Sequence, residues 1–243
     1  MLVELLRSGL GPREIVYYGL IMLFALMLSF SIHEFMHAYV ADWLGDPTPR
    51  NMGRLTLSPL AHLDPVGTLL LLIAGFGWGK PVMYNPNRLC KFRSFRLMNI
   101  MVHLAGVTGN FILALISGII GTLVSCIASG RVDPNTPAGI AVTTVVMAFS
   151  YTELFSLSLL AFNLLPIPPL DGFHVLEELL PYKVRSSDGY RKFERFSPFA
   201  IWILFLGSYY SSFDVIGVVL AAIKTPFALF INLICNLISI PFG

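Results

Sequence analysis

The chain has 243 residues, of which 56% are hydrophobic and 12% are charged, and its formal net charge is +2. A soluble domain carries about 25% charged residues. Half that fraction, with several long uncharged runs, indicates an integral membrane protein and excludes an ordinary soluble domain. The small net charge gives no indication of nucleic-acid binding. The cysteines, Cys90, Cys126 and Cys235, form neither a disulfide framework nor a paired metal-binding pattern.

Long apolar runs predict the membrane-spanning helices. Four runs are long enough to cross a bilayer: residues 15–40, 97–128, 138–165 and 199–223. A fifth run, residues 226–242, is short for a span and could cross, re-enter or lie at the interface. We therefore expect an all-α polytopic membrane protein with four to six transmembrane helices, built as one domain over residues 1–243.

Two segments are predicted to be irregular at membrane depth. Residues 66–76 are apolar but too few to cross, and Gly77 to Pro81 follow them, so we expect a re-entrant or interfacial hairpin near residues 64–86. Pro166, Pro168 and Pro169 prevent the third span from continuing as a helix. They predict an unwound proline-rich segment near residues 163–172.

The distribution of basic residues predicts the topology. Residues 44–97 and 172–198 together hold 12 of the 16 lysines and arginines. Loops rich in lysine and arginine lie on the cytoplasmic side of a membrane. We therefore expect both loops in the cytoplasm and the N-terminus outside.

His33, Glu34 and His37 form a His-Glu-x-x-His pattern at the end of an uncharged run, residues 15–32. On a helix, residues four apart lie about 40° apart around the axis, so both imidazoles can bind one Zn²⁺. Zinc lowers the pKa of its bound water to about 7, and Glu34 can take that proton and pass it to a leaving amine. Such polar side chains are costly in lipid, which favours a functional site over a chance match.

Asp171 is the candidate third ligand. A catalytic zinc ion takes three protein ligands and leaves a fourth position open. Asp171 stands at the end of the proline-rich segment, which would deliver its carboxylate on irregular backbone at a membrane edge. An ordinary turn is the alternative, because Leu170-Asp171-Gly172 is a common turn sequence.

HEFMH over residues 33–37 and NLLPIPPLDG over residues 163–172 resemble the HExxH and NxxPxPxLDG motifs of the site-2 protease family of intramembrane zinc metalloproteases. Residues 37–71 and 77–86 are similar to its compact prokaryotic branch. The resemblance implies a metalloprotease domain with its catalytic core over about residues 15–175 and no inserted PDZ or CBS domain. It implies one zinc ion per chain, held by His33, His37 and Asp171, with Glu34 as the base. It also implies a multi-pass protein of a prokaryotic cell membrane, with its active site toward the cytoplasm.

The resemblance further implies a glycine-x-x-x-asparagine element, which Gly106 and Asn110 supply. Asn110 could polarise the scissile carbonyl or hold the developing oxyanion. Its alternative is an interhelical hydrogen bond beside small residues. Asn163, which opens the second motif, could bind the substrate backbone or cap the unwound segment.

Several other polar residues have open roles. His62 and Asp64 could orient a ligand imidazole, although a structural turn is the favoured interpretation. His103 could face the site or be a buried, hydrogen-bonded histidine, and His174 is a weak candidate for orienting a ligand. Glu153, within the third span, has no explanation from the sequence.

The expected function is a zinc endopeptidase that cuts within or next to a transmembrane helix of a membrane-protein substrate, as in regulated intramembrane proteolysis. The expected partners are that substrate and the lipid bilayer, with no nucleic acid. A helix hides its carbonyls, so the substrate must unwind locally before attack. The alternatives are a metal transporter or sensor, whose ionisable residues would be distributed across the bilayer, and a pseudoprotease that binds membrane helices without cutting them.

Overall fold

The computed structural model describes residues 9–67, 70, 79–197 and 215–242. Its elements are α1 (Pro12–Trp43), α2 (Thr48–Asn51), α3 (Pro59–His62), α4 (Phe95–Ala128), α5 (Pro137–Asn163), α6 (Asp171–Leu179), α7 (Tyr182–Arg185) and α8 (Val215–Ser239), with 3-10 turns at Pro86–Arg88 and Ile240–Phe242. Residues 65–67 and 188–197 are also helical. Over these described ranges the chain contains one isolated antiparallel bridge, between Leu63 and Gly79, and no strand.

The long helices begin and end where the local sequence favours it. Glu14 accepts a hydrogen bond from Gly11 N (2.9 Å) before the first turn of α1. The Ser94 side chain accepts one from Leu97 N (3.2 Å) at the start of α4, and the Thr136 side chain accepts one from Gly139 N (3.1 Å) at the start of α5. Such bonds satisfy amides that have no partner within the helix. The prolines beginning at Pro166 follow the end of α5.

Four helices are long and apolar enough to cross a membrane: Pro12–Trp43, Phe95–Ala128, Pro137–Asn163 and Ile216–Phe242. The first three coincide with predicted spans. The predicted separation of a run ending at residue 223 from a short run at residues 226–242 is wrong, because α8 extends from Val215 to Ser239 with Pro226 in its interior. Membrane helices tolerate an internal proline where neighbouring groups re-satisfy the backbone. Residues 199–214 of that prediction lie outside the described residues.

α1, α4 and α5 form the core of the bundle. α1 and α5 run parallel, since Tyr17 OH lies 2.5 Å from Thr144 Oγ1 and, further along both helices, Ser29 Oγ lies 2.9 Å from Ser156 Oγ. α4 runs antiparallel to α5, because its Gly121 faces Phe149 and its earlier Gly118 faces the later Glu153. Small residues on α4 permit this close approach.

α8 packs against the same three-helix unit and runs in the direction of α4. Phe227 contacts Phe111 with ring centroids 5.5 Å apart, while Ile231 packs against Ala114 and Gly118 further along α4. The ends of α1 and α5 therefore meet the start of α4 at one end of the bundle. The two basic loops leave from that end, as the topology prediction requires.

The two predicted irregular segments lie at that same end. α5 ends at Asn163 and α6 begins at Asp171, which confirms the unwound proline-rich segment. In the hairpin region, Lys80 N donates to His62 O (2.7 Å) beside the bridge between Leu63 and Gly79, so the chain reverses between them. Residues 68, 69 and 71–78, which carry most of the predicted apolar hairpin, lie outside the described residues.

Candidate metal centre and active site

Three side-chain atoms converge where α1 meets the start of α6. His33 Nε2 lies 3.1 Å from His37 Nε2, and Asp171 Oδ2 lies 3.2 Å from the former and 3.3 Å from the latter. Zinc bonds to nitrogen and oxygen are about 2.0–2.1 Å long, which places the ligand atoms of a tetrahedral site about 3.3 Å apart. The near-equilateral triangle therefore has the size that a zinc ion requires.

The chemistry of the three atoms also fits a cation. His37 Nδ1 lies 2.8 Å from the carbonyl oxygen of Val102, which can only accept, so Nδ1 carries the proton. His37 Nε2 then presents a lone pair to the centre. Asp171 Oδ2 is buried and has no hydrogen-bond partner in the described part of the chain. Acceptor atoms aimed at one point repel one another unless a cation lies between them, so these residues fit Zn²⁺.

The turn before α6 positions Asp171. Asp171 is the first residue of α6, where the partial positive charge of the helix N-terminus favours a carboxylate. A Cβ atom added to Gly172 would lie 2.8 Å from the Leu165 carbonyl oxygen and closer still to that of Leu164, so only glycine permits this approach.

α4 packs against the imidazole rings of both His33 and His37. A Cβ atom added to Gly106 would lie 2.7 Å from His33 Nδ1 and closer still to His37 Nε2. Gly106 therefore leaves the space that the two imidazole rings occupy. Asn110, one turn further along α4, is fully buried, and its Nδ2 lies 3.2 Å from His33 Nδ1.

Glu34 follows the metal ligand His33 in the chain, and a backbone amide binds its carboxylate. Its side chain is 9% exposed, and its Oε2 accepts a hydrogen bond from Val82 N (3.1 Å). Val82 belongs to residues 81–84, a non-helical stretch beside the site. A carboxylate held in this way can accept a proton from a reactant in the same cavity.

The ligands open into a cleft of about 380 Å³. Asn163 lines it, as do Pro81 and Pro169 from the two irregular segments. Asn163 Nδ2 also donates to Leu159 O (3.0 Å), so both roles considered for this residue, substrate binding and capping, are compatible with its position. Asn110 is not among the described residues that line the cleft. Its predicted oxyanion role gains no support from this placement.

A second wall of the cleft contains His103, His174 and Tyr84. The sequence left the roles of the two histidines open and did not indicate Tyr84. His103 stacks on His174 with ring centroids 4.8 Å apart, and its Nε2 lies 3.0 Å from Tyr84 OH. All three residues line the cleft. His103 is therefore both hydrogen-bonded and facing the site. Tyr84 was missed, because nothing in its local sequence predicts that residues 81–84 pack against α4.

Asp46 was also missed. It is fully buried, and its carboxylate accepts from Thr48 N (3.1 Å), Thr48 Oγ1 (2.5 Å) and Asn85 N (2.5 Å). It thereby fixes the backbone directly after Tyr84. An acidic residue just past the end of an apolar helix favours a solvated or capping role. The bond from Thr48 N agrees with capping, whereas full burial of Asp46 excludes a solvated carboxylate.

The remaining polar candidates lie away from the metal ligands. His62 is fully buried, and its Nε2 donates to Thr56 O (2.8 Å), while Asp64 Oδ1 accepts from Val66 N (3.1 Å). Both contacts favour the structural-turn interpretation. Glu153 lines a separate cavity of about 270 Å³ between α4 and α5, together with Ser117. Its role stays unassigned.

Comparisons with known proteins identify the family of the chain. The sequence profile described as peptidase family M50 matches residues 91–207. "Putative zinc metalloprotease YwhC" of Bacillus subtilis is 41% identical over 162 residues, which are 67% of this chain and 70% of that protein. "Putative zinc metalloprotease Rip2" of Mycolicibacterium smegmatis is 28% identical over 172 residues, 68% of this chain and 60% of that protein. Rip2 of Mycobacterium tuberculosis is 29% identical over 226 residues, 87% of this chain and 80% of that protein. No solved structure matches the chain.

The residues that the profile matches include α4, α5 and Asp171. The four helices that are long and apolar enough to span a membrane indicate an integral membrane protein. The identity to YwhC extends over two thirds of both chains. The chain therefore belongs to peptidase family M50, the site-2 protease family of membrane zinc metalloproteases.

Proposed function

We propose that this protein is an intramembrane endopeptidase that cuts a peptide bond within or next to a transmembrane helix of a membrane-protein substrate. The observation that carries the proposal is the position of the ligand triangle. His33 and His37 lie inside α1, a helix long and apolar enough to span the membrane, and both contact α4, a second such helix. A cleft beside two membrane-spanning helices is more accessible to membrane-embedded polypeptide than to soluble polypeptide.

His33, His37 and Asp171 would hold one zinc ion per chain. When bound, zinc supplies a Lewis acid and makes hydroxide available at neutral pH. Glu34 accepts a proton from the attacking water and later passes it to the leaving amine. The hydrogen bond from Val82 N keeps the Glu34 carboxylate in place between these two transfers.

The substrate must be extended where it is cut, because a helix hides its carbonyls. Pro81 and Pro169 bring two non-helical segments to the cleft. The backbone of Met83 has no backbone hydrogen-bond partner within the described ranges, and we propose that an extended substrate pairs with it as an added strand. Asn163 on the cleft wall can hydrogen-bond the same extended backbone.

The site would lie toward the cytoplasmic side of a prokaryotic cell membrane. The ligands lie at the end of the bundle from which residues 44–94 and 164–197 leave, and these segments carry most of the basic residues. The similar proteins are bacterial.

The test uses purified protein in detergent with a panel of tagged single-span membrane proteins. Wild type should cut some of them within or next to the span, as located by mass spectrometry. Glu34→Gln should bind zinc equally and cut none, because only the proton acceptor is lost. Cleavage by Glu34→Gln at the wild-type rate would refute the assignment of the base. A change only in metal flux through vesicles would indicate a transporter, and an undiminished cellular role of the variant a pseudoprotease.

A further inference from the structure

We propose that Asn110 is a positioning residue for the metal ligand His33, whose Nδ1–H donates a hydrogen bond to the Asn110 side-chain oxygen. The inference rests on the proposed zinc site and adds a role for a residue that does not touch substrate. It replaces the oxyanion role expected from the family resemblance.

Two antiparallel helices, α1 and α4, present residues at matching intervals to each other. His33 and His37 are one turn apart on α1, and Val102, Gly106 and Asn110 are each one turn apart on α4. Val102 O meets His37 Nδ1 at 2.8 Å, and the Asn110 amide meets His33 Nδ1 at 3.2 Å. Gly106, between them, admits both rings. Each ligand imidazole is therefore contacted on its distal nitrogen by the same face of α4.

The protonation state of His33 then decides what Asn110 must offer. His33 directs Nε2 toward His37 and Asp171, so Nε2 needs a free lone pair to bind a metal. In a neutral imidazole the proton must then be on Nδ1, which becomes a donor. A metal-bound histidine commonly donates its other N–H to a carboxylate or carbonyl oxygen, which fixes the tautomer and the ring orientation. Val102 O does this for His37.

The carboxamide of Asn110 as placed directs Nδ2 at His33 Nδ1, which would set two donors against each other. Its Oδ1 is buried and has no hydrogen-bond partner among the residues that the structure describes. A half-turn of the carboxamide exchanges its oxygen and nitrogen without moving any other atom. Either orientation leaves one amide atom without a described protein partner. Only the turned one gives His33 Nδ1–H an acceptor.

The position of Asn110 also separates this role from direct catalysis. Its side chain is 0% exposed, and it contacts Nδ1 of His33, whereas Asp171 lies beside Nε2 of the same ring. It does not line the cleft where a scissile carbonyl would bind. Asn110 therefore acts through His33, by holding the ring so that Nε2 points at the metal.

The test compares zinc affinity, measured by chelator competition in detergent, for Asn110→Leu and Asn110→Asp. Leucine has a similar volume but no acceptor, and we expect it to weaken zinc binding about 10–100-fold. Aspartate keeps an acceptor and has no donor, so its affinity should stay within about threefold of wild type. Ser117→Ala, a buried change on the same helix away from the ligands, should bind zinc as wild type does. If the leucine variant does not fold, Asn110→Ala takes its place.

Two results would overturn the proposal. Weak binding by both variants would mean that Asn110 donates to His33, and wild-type affinity in both would mean that Asn110 does not support the ligand. Thermal unfolding of the zinc-free proteins separates positioning from a merely structural role. Positioning predicts a smaller zinc-induced rise in Tm for the leucine variant, with little change in the Tm of its zinc-free form. If wild type itself bound no zinc, the proposed function would fail instead.

Discussion

Gly106→Ala tests the packing of α4 against the metal ligands. The added Cβ would lie 2.5 Å from His33 Cε1 and 2.7 Å from His33 Nδ1, with His37 Nε2 closer still. Ordinary contact needs about 3.5 Å, so the His33 ring must move by roughly 1 Å. Metal sites tolerate ligand displacements of about 0.2 Å. We therefore expect zinc affinity to fall at least about 100-fold, equivalent to about 2.8 kcal/mol.

The assay is chelator competition in detergent, with Tm measured in the presence and absence of zinc. Gly121→Ala is the matched control, because it is the same change at a buried position of the same helix, where the added Cβ would lie 3.3 Å from Phe149 Cβ. We expect this control to bind zinc nearly as wild type does. Wild-type zinc affinity in Gly106→Ala would refute the inference that α4 fixes the imidazole positions.

Two further substitutions test the walls of the site. Gly172→Ala would bring a Cβ to 2.8 Å from the Leu165 carbonyl oxygen. Because a backbone carbonyl cannot move aside as a side chain can, Asp171 must shift. Zinc affinity should therefore fall about tenfold or more. Gly189→Ala, with nothing within 4 Å, is its control, and equal affinities in the two would contradict the argument. Tyr84→Phe removes the hydroxyl 3.0 Å from His103 Nε2, and it should lower kcat/KM by up to about tenfold while zinc affinity stays unchanged. An unaltered kcat/KM would show that this contact does not shape the cleft.

Much of the fold follows from local sequence, because a long apolar run must form a helix in lipid to satisfy its backbone. That physical constraint predicted α1, α4 and α5 closely. It failed between residues 223 and 226, where the apolar pattern was divided into two runs although α8 continues through this point with Pro226 in its interior. Whether a proline ends a membrane helix depends on the neighbours that pack around it, and these cannot be identified from one chain segment.

The residues of the candidate site also fall into those that the local sequence predicts and those that it does not. His33, Glu34 and His37 could be recognised because their spacing on one helix is itself the geometry of a metal site. Asp171 required the second motif, since its approach depends on how residues 164–170 fold back. The contacts of Tyr84 with His103, of Asp46 with Asn85 and of Asn110 with His33 join residues far apart in the chain, and no local pattern encodes them.

The most direct test of the account is the zinc content of detergent-purified wild type measured beside Asp171→Ala. We expect about one zinc ion per chain in wild type and a strong loss in the variant, because Asp171 Oδ2 completes the ligand triangle. Full zinc retention by a folded Asp171→Ala protein would contradict the role of Asp171 as the third ligand. A folded wild type without zinc would contradict the metal site itself.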